Sequence, residues 1–224
     1  MPDNTRIRFE PDGTVSVRVG KVELGQGIVT ALAQIAADEL GVPLEKIRML
    51  PASTAYSPDE GVTSGSLSIQ DGGKALREAC AKVRRLLLAK AARRFDVPVA
   101  ELRVEDGTIR GRNVKVSYWE FADEEGEIPG EAPVKPQAAY TVVGASVPRV
   151  DLPRKFAGEP SYVHDMVIPG MLHARVVRPS KAFKRLVSVP DVPGVKVVRD
   201  GSFLGVLAER EEEAIAAAAK LRVK

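Results

Sequence analysis

The chain has 224 residues, with 33 Lys and Arg against 30 Asp and Glu for a net charge of +3, and is 44% hydrophobic and 28% charged. That composition fits one large or two small globular domains with ample core material, and the lack of any run of about 18 apolar residues excludes a membrane-spanning helix. One cysteine, Cys80, excludes an internal disulfide and a cysteine-built metal site, while interspersed charges and 5% aromatic residues argue against a nucleic-acid partner.

The opening residues, MPDNTRIRFEPDGT, carry no apolar segment of signal-peptide type, so a cytoplasmic location is expected. Residues 6–10 and 15–19 read as strands around the turn Pro11-Asp12-Gly13-Thr14. Val15, Val17 and Val19 alternate with polar residues, which predicts one buried face. The stretch GKVELGQGIVT follows, with Gln26 set between Gly25 and Gly27. Glycine permits backbone angles and close approaches that a Cβ forbids, and a glutamine amide both donates and accepts. A helix is expected over 28–40, with Ile28, Leu32, Ile35 and Ala36 on one stripe and Gly41 at its C-terminal end. Its first free N–H groups favour an anion. The tripeptide alone fits either a ligand cradle or a plain strand-to-helix turn.

A strand over 46–50 leads into the polar loop PASTAYSPDEGVTSGSLS, long for a simple connection. The loop ends in Thr63-Ser64-Gly65-Ser66-Leu67-Ser68, a run of hydroxyls that serves equally as a helix cap or as a set of ligand donors and acceptors. Convergence of the two loops in space would favour the ligand reading. One long helix is expected over 69–95, with Ile69, Gly73, Leu76, Cys80, Val83 and Leu87 on its packed face. Cys80 there reads as a small core hydrophobe.

Short strands are expected over 101–105, 108–110 and 114–116, a helical turn over 117–122, and a Glu/Pro/Gly-rich linker over 123–138. Further strands follow at 171–177, 196–199 and 203–208, then a helix over about 210–221. That helix has Glu211, Glu212 and Glu213 in its first turn and basic residues at its end, as the helix dipole favours. His164 and His173 have no partner at metal-ligand spacing, and no P-loop, GxGxxG or G-x-S-x-G motif occurs.

Two motifs carry a family resemblance. Glu23-Leu24-Gly25-Gln26-Gly27, within GKVELGQGIVTALAQIAADELGVP, and Thr63-Ser64-Gly65-Ser66-Leu67-Ser68, within TSGSLSIQDGGKAL, together resemble the molybdopterin-binding subunit of the xanthine oxidase family, in the branch with isoquinoline oxidoreductase beta subunit and nicotinate dehydrogenase. VGASVPRVDLPRKFAGEPSYVHDMVIPGMLHARVVRP and PGVKVVRDGSFLGVLAERE resemble that branch's α/β hammerhead domain. The resemblance implies an α+β fold: a partial molybdenum-cofactor-binding domain over residues 1–135, with two helices on a small sheet, and a hammerhead-like domain over 140–224.

The same resemblance implies a molybdenum–molybdopterin cofactor, in its cytosine dinucleotide form, and hydroxylation of aldehydes or nitrogen heteroaromatics with oxygen from water. Electrons would pass to 2Fe-2S clusters on a separate iron–sulfur subunit. Cofactor-binding residues carried over by motif are Gly25, Gln26 and Gly27 on one loop and Gly65, Ser66 and Ser68 on the other. Two family motifs have no match here: a glycine-rich G-G-G-F-G-G-type loop and the G-x-G-E whose glutamate is the general base. Glu23 is not made the base by analogy, so no catalytic residue is assigned. The hammerhead part also lacks a short helical insertion between Asp191 and Pro193. A larger molybdenum-domain partner, an accessory role without turnover, and a truncated product all remain compatible with these departures. Export with such a partner would place the chain in the periplasm.

Overall fold

In the computed structural model, which describes residues 6–121, 130–179 and 192–221, the valine-rich hairpin forms β1 (Ile7–Phe9) and β2 (Val15–Val17), paired antiparallel. β2 is central in its sheet, and Ser16 is buried along with Val15 and Val17, so both faces are covered rather than one. The chain then crosses through α1 (Ile28–Leu40) to β3 (Ile47–Met49), which lies parallel to β2. Parallel neighbours need such a crossover, and it leaves the C-terminal ends of both strands on the same side of the sheet. α1 ends as expected: Gly41 is left-handed at φ +72°, and its amide donates to the carbonyls of Ala37 and Asp38.

The second helix departs from a single α-helical period. Ser68–Gly73 is a π-helical turn, and only Lys74–Phe95 (α2) is α-helical. The wider turn takes Ile69 out of the packed stripe and leaves it exposed, whereas Leu76, Cys80, Val83 and Leu87 are buried with Leu32, Ile35, Ala36 and Leu40 of α1. A Cβ on Gly73 would lie 3.0 Å from Ile35 Cδ1, so glycine there permits the close approach of the two helices. Burial pushes the Cys80 thiol up from its ordinary value, with the Glu39 carboxylate adding to the effect, in keeping with an inert core residue.

A three-stranded antiparallel meander follows, β4 (Arg103–Glu105), β5 (Thr108–Arg110) and β6 (Lys115–Ser117). The turn after it, Tyr118–Phe121, inserts two fully buried rings, and the Tyr118 hydroxyl donates to the Leu40 carbonyl at the end of α1. Helix ends leave carbonyls without partners, and Tyr118 satisfies one of them inside the core.

The segment read as a linker is no free linker where it is described. Residues 122–129 lie outside the described residues. From Pro133 onward the chain runs back along α1 as a strap. Glu39 accepts the Lys135 amide on both oxygens at 3.1 Å, and Arg84 donates to the Pro133 carbonyl. Asp38 accepts the amides of Thr141, Val142 and Val143 at 2.6–3.2 Å. Gln34 donates to the carbonyls of Val142 and Ala145, and Thr30 Oγ1 accepts the Val150 amide. These polar residues of α1 hold the strap through α3 (Leu152–Phe156), and the chain divides into units Met1–Gly158 and Glu159–Lys224. Buried carboxylates on α1 thus tie Lys135 and residues 141–143 into the first unit.

The second unit contains β7 (His173–Val176), β8 (Lys196–Asp200) and β9 (Phe203–Ala208) in the antiparallel order β7-β9-β8. α4 (Glu211–Lys220) packs on this sheet, burying Ala217 with Leu204 and Val206. Its first turn holds the three glutamates, one of which, Glu211, pairs with Arg175 of β7. Asp191 lies outside the described residues, and with it the expected site of the missing hammerhead insertion.

Candidate cofactor-binding site

The loop after β2 and the loop after β3 converge, as their parallel strands dictate. The Val22 amide donates to Thr63 Oγ1 at 2.9 Å. Lys21, only 3% exposed, donates through Nζ to the carbonyls of Glu60 and Val62 at 2.6 and 3.1 Å. Glu60 in turn accepts the Gly20 amide and a 2.7 Å bond from Arg6. Gly20 and Gly72 make this join possible: a Cβ would come 2.3 Å from the Pro58 carbonyl oxygen at Gly20 and 2.9 Å from Lys21 Cγ at Gly72.

Within the first loop, Gly25 and Gly27 take φ of +104° and +81°, angles a residue with a Cβ adopts only under strain. Part of the donor set at the start of α1 that sequence reasoning offered to an anion is already used inside the chain. Glu23 takes it: Oε1 accepts from Gly25 at 2.8 Å and Gly27 at 3.0 Å, and Oε2 accepts from Val29 at 3.3 Å. The residue that sequence reasoning left without a role is thus the helix cap. A carboxylate close to such a helix start was the available signal.

Gln26 folds back on its own loop. Its Oε1 accepts from the Leu24 amide at 2.5 Å and its Nε2 donates to the Val22 carbonyl at 2.9 Å. Each end of the amide keeps one further hydrogen-bonding position, one N–H and one lone pair. The amide therefore has a fixed orientation and still presents a donor and an acceptor outward.

In the second loop, Gly65 and Ser66 are consecutive left-handed residues at φ +63° and +59°. Ser66 is strained there, at a cost of about 1 kcal/mol. The hydroxyls of Ser64, Ser66 and Ser68 make no hydrogen bond among the described residues, whereas Thr63 is used to join the loops. The capping role expected as an alternative for these hydroxyls is not what the structure shows, since no side chain caps the turn that begins at Ser68. Around the loops, large apolar side chains stand in solvent, Leu24 64% and Val62 78% exposed among them.

Below the first loop lies a group of charges that the sequence did not mark. Arg149 Nη1 donates to the Gly25 carbonyl at 3.0 Å, and its Nε and Nη2 donate to Asp151 at 3.0 and 2.6 Å. Lys155 donates to Asp151 at 2.5 Å and stands 3.9 Å from Glu23. The hydrogen bonds from Arg149 foremost, with those from Lys155, hold the Asp151 carboxyl well below the usual carboxylate range against the raising effect of burial. Asp151 and Lys155, spaced i and i+4, were the legible part of this group.

The geometry offers several hydrogen-bonding positions to a polar group. Two glycine-bearing loops meet at one end of a parallel strand pair, with a fixed amide on one and, on the other, three hydroxyls that have no partner among the described residues. Among the described residues no cluster of His, Cys, Asp or Glu could hold a metal ion. No helix among the described residues is long and apolar enough to cross a membrane.

The family model described as "Molybdopterin cofactor-binding domain" matches residues 1–157, and the chain belongs to that family, within the xanthine oxidase family of molybdopterin-binding subunits. The chain is 40% identical over 237 residues to a nicotinate dehydrogenase subunit of Pseudomonas putida, covering 97% of this chain and 20% of that protein. It is 29% identical over 223 residues to the beta subunit of isoquinoline 1-oxidoreductase of Brevundimonas diminuta, covering 77% and 28%. The carbon monoxide dehydrogenase large chain of Hydrogenophaga pseudoflava is 36% identical over 55% of this chain and 15% of its own length. The chain thus spans about a fifth of the first relative's length and a little over a quarter of the second's.

Proposed function

We propose that this chain is a molybdenum-cofactor-binding part of a molybdenum hydroxylase that oxidises aldehydes or nitrogen heteroaromatics. The observation that carries the reading is the convergence of the Gly25–Gly27 and Gly65–Ser68 loops, joined by the Val22–Thr63 hydrogen bond. Gly25 and Gly27 let the backbone approach the pterin, and Gln26 offers it one N–H and one lone pair from an amide already oriented by Val22 and Leu24. Gly65, Ser66 and Ser68 line the other side, where unpartnered hydroxyls suit pterin edges and phosphate oxygens, including those of a cytosine dinucleotide form. When bound, the molybdenum–pterin group supplies the hydroxylation chemistry, with oxygen taken from water. Glu23 already holds the amides of Gly25, Gly27 and Val29, so these three do not serve the phosphates.

Substrate and the catalytic base come from outside this stretch of sequence. The apolar side chains exposed around the loops support a covering partner, a larger molybdenum-domain polypeptide. An iron–sulfur subunit carrying 2Fe-2S clusters would take the electrons. The second unit is read as the hammerhead-like domain. The assembly works in the cytoplasm, or in the periplasm after export of the folded complex.

The test is the pterin content of the assembled complex carrying Gln26→Ala or Ser66→Ala. The expected result is a loss of retained pterin in both variants, corresponding to about 1–3 kcal/mol for a lost buried hydrogen bond. Wild-type pterin content in both would overturn the assignment of these loops.

A further inference from the structure

We propose that Arg149 is a positioning residue for the Gly25–Gly27 loop, acting on the cofactor through Gln26 rather than by touching it. The proposal rests on the reading of that loop as a cofactor cradle and adds how the cradle is held in shape. Every backbone polar group in the turn with a described partner is held from below. Glu23 takes the amides of Gly25 and Gly27, and Arg149 Nη1 takes the Gly25 carbonyl at 3.0 Å. The guanidinium also lies against the Cα of Gly27, where a Cβ would come 3.2 Å from Arg149 Cζ and Nε. Gly27 is therefore required for its angle and for this approach alike.

Arg149 is itself fixed. Its remaining edge is gripped by Asp151 through two hydrogen bonds, and Lys155 holds Asp151 from the other side. A planar guanidinium gripped along one edge has little freedom left, so its Nη1 bond to Gly25 is directional. The four groups Glu23, Arg149, Asp151 and Lys155 are two acids and two bases within 4 Å pairings. The cluster balances its charge beneath the loop and adds no net charge to the face that receives the ligand. Arg149 and Asp151 sit at the end of the strap that runs the length of α1, so the strap delivers this brace to the loop.

The test uses the full chain with Arg149→Met, Arg149→Lys and Gln34→Ala. Gln34→Ala removes two of the strap's hydrogen bonds to α1 and leaves those of Thr30, Asp38 and Glu39, so Arg149 stays in place and the loop is not touched. Amide hydrogen exchange at Gly25, Gln26 and Gly27 is read by NMR, with the unfolding midpoint, and pterin content is read in the assembled complex. Arg149→Met is expected to speed exchange at these amides by about tenfold while leaving distant core amides unchanged. Arg149→Lys should recover part of the effect, because lysine reaches the carbonyl but cannot fork onto Asp151. Pterin retention should fall in Arg149→Met and stay at the wild-type level in Gln34→Ala. Unchanged exchange in Arg149→Met, or equal exchange in Gln34→Ala, overturns the positioning role. Faster exchange in Arg149→Met with wild-type pterin in both it and Gln26→Ala overturns the cofactor reading of the loop instead.

Discussion

The Val22 amide donates to Thr63 Oγ1 at 2.9 Å across forty-one positions of sequence, and this bond joins the two loops on which the functional reading depends. Its removal has a defined consequence. Thr63→Val keeps the shape of the side chain and removes the acceptor, leaving the Val22 amide without its partner. The variant should lose about 1 kcal/mol of stability in urea denaturation and show faster exchange at Val22. Wild-type exchange at that amide would mean that the bonds of Gly20 and Lys21 to the second loop hold the join without it.

Two glycine substitutions separate backbone strain from crowding. Gly27→Ala meets a left-handed φ of +81° and the Arg149 guanidinium at 3.2 Å, while Gly65→Ala meets φ +63° and nothing nearer than Leu67 at 3.7 Å. Each should cost about 1–2 kcal/mol for the angle, with the larger loss at Gly27. Equal losses in thermal unfolding would show that Arg149 moves aside freely.

The strap should loosen in acid. Burial raises the Asp38 carboxyl, but the amides of Thr141, Val143 and Val142 together outweigh it and leave the group below its ordinary value. A carboxylate depressed in the folded state adds stability above its unfolded pKa of about 3.9, and that stability is lost as pH falls through the lower folded value. The stability difference between wild type and Asp38→Asn should therefore be constant above about pH 5 and shrink below about pH 4. A difference that instead grows with acid would contradict the assignment.

Glu39 should matter more than an ion pair at the surface. It is fully buried and receives Arg84 at 2.7 Å, Arg77 at 3.4 Å and the Lys135 amide. Glu39→Ala leaves two largely buried guanidinium groups without this acceptor and should cost about 2–4 kcal/mol in equilibrium unfolding. Arg77→Met, which leaves the shorter Arg84 bond in place, should cost less.

The elements set by local chemistry were legible in the sequence. The Ile28, Leu32, Ile35 and Ala36 stripe and Gly41 gave α1 its bounds, and the short strands of the second unit fell close to their expected places. The two loops proposed as the cofactor cradle were visible as glycines and hydroxyls. What escaped was set by distant partners. Residues 130–138 have the composition of a linker, and Glu39 of α1 and Arg84 of α2, which bond Lys135 and Pro133, turn them into a strap. Glu39 falls on the same stripe as Leu32 and Ile35, so a charge on an apolar face was the missed signal. The π-helical turn at Ser68–Gly73 left no periodicity to read, since Ile69 spaces correctly for a helix and yet faces solvent. Arg149 could not be joined to Gly25 from sequence, because the bond spans 124 positions.

The most direct measurement is the molybdenum and pterin content of the complex recovered with this chain, tagged, from its native host. The account predicts a larger polypeptide in the eluate together with molybdenum and pterin, and loss of both in Gln26→Ala. Recovery of the chain without molybdenum or pterin, whatever accompanies it, would contradict the account.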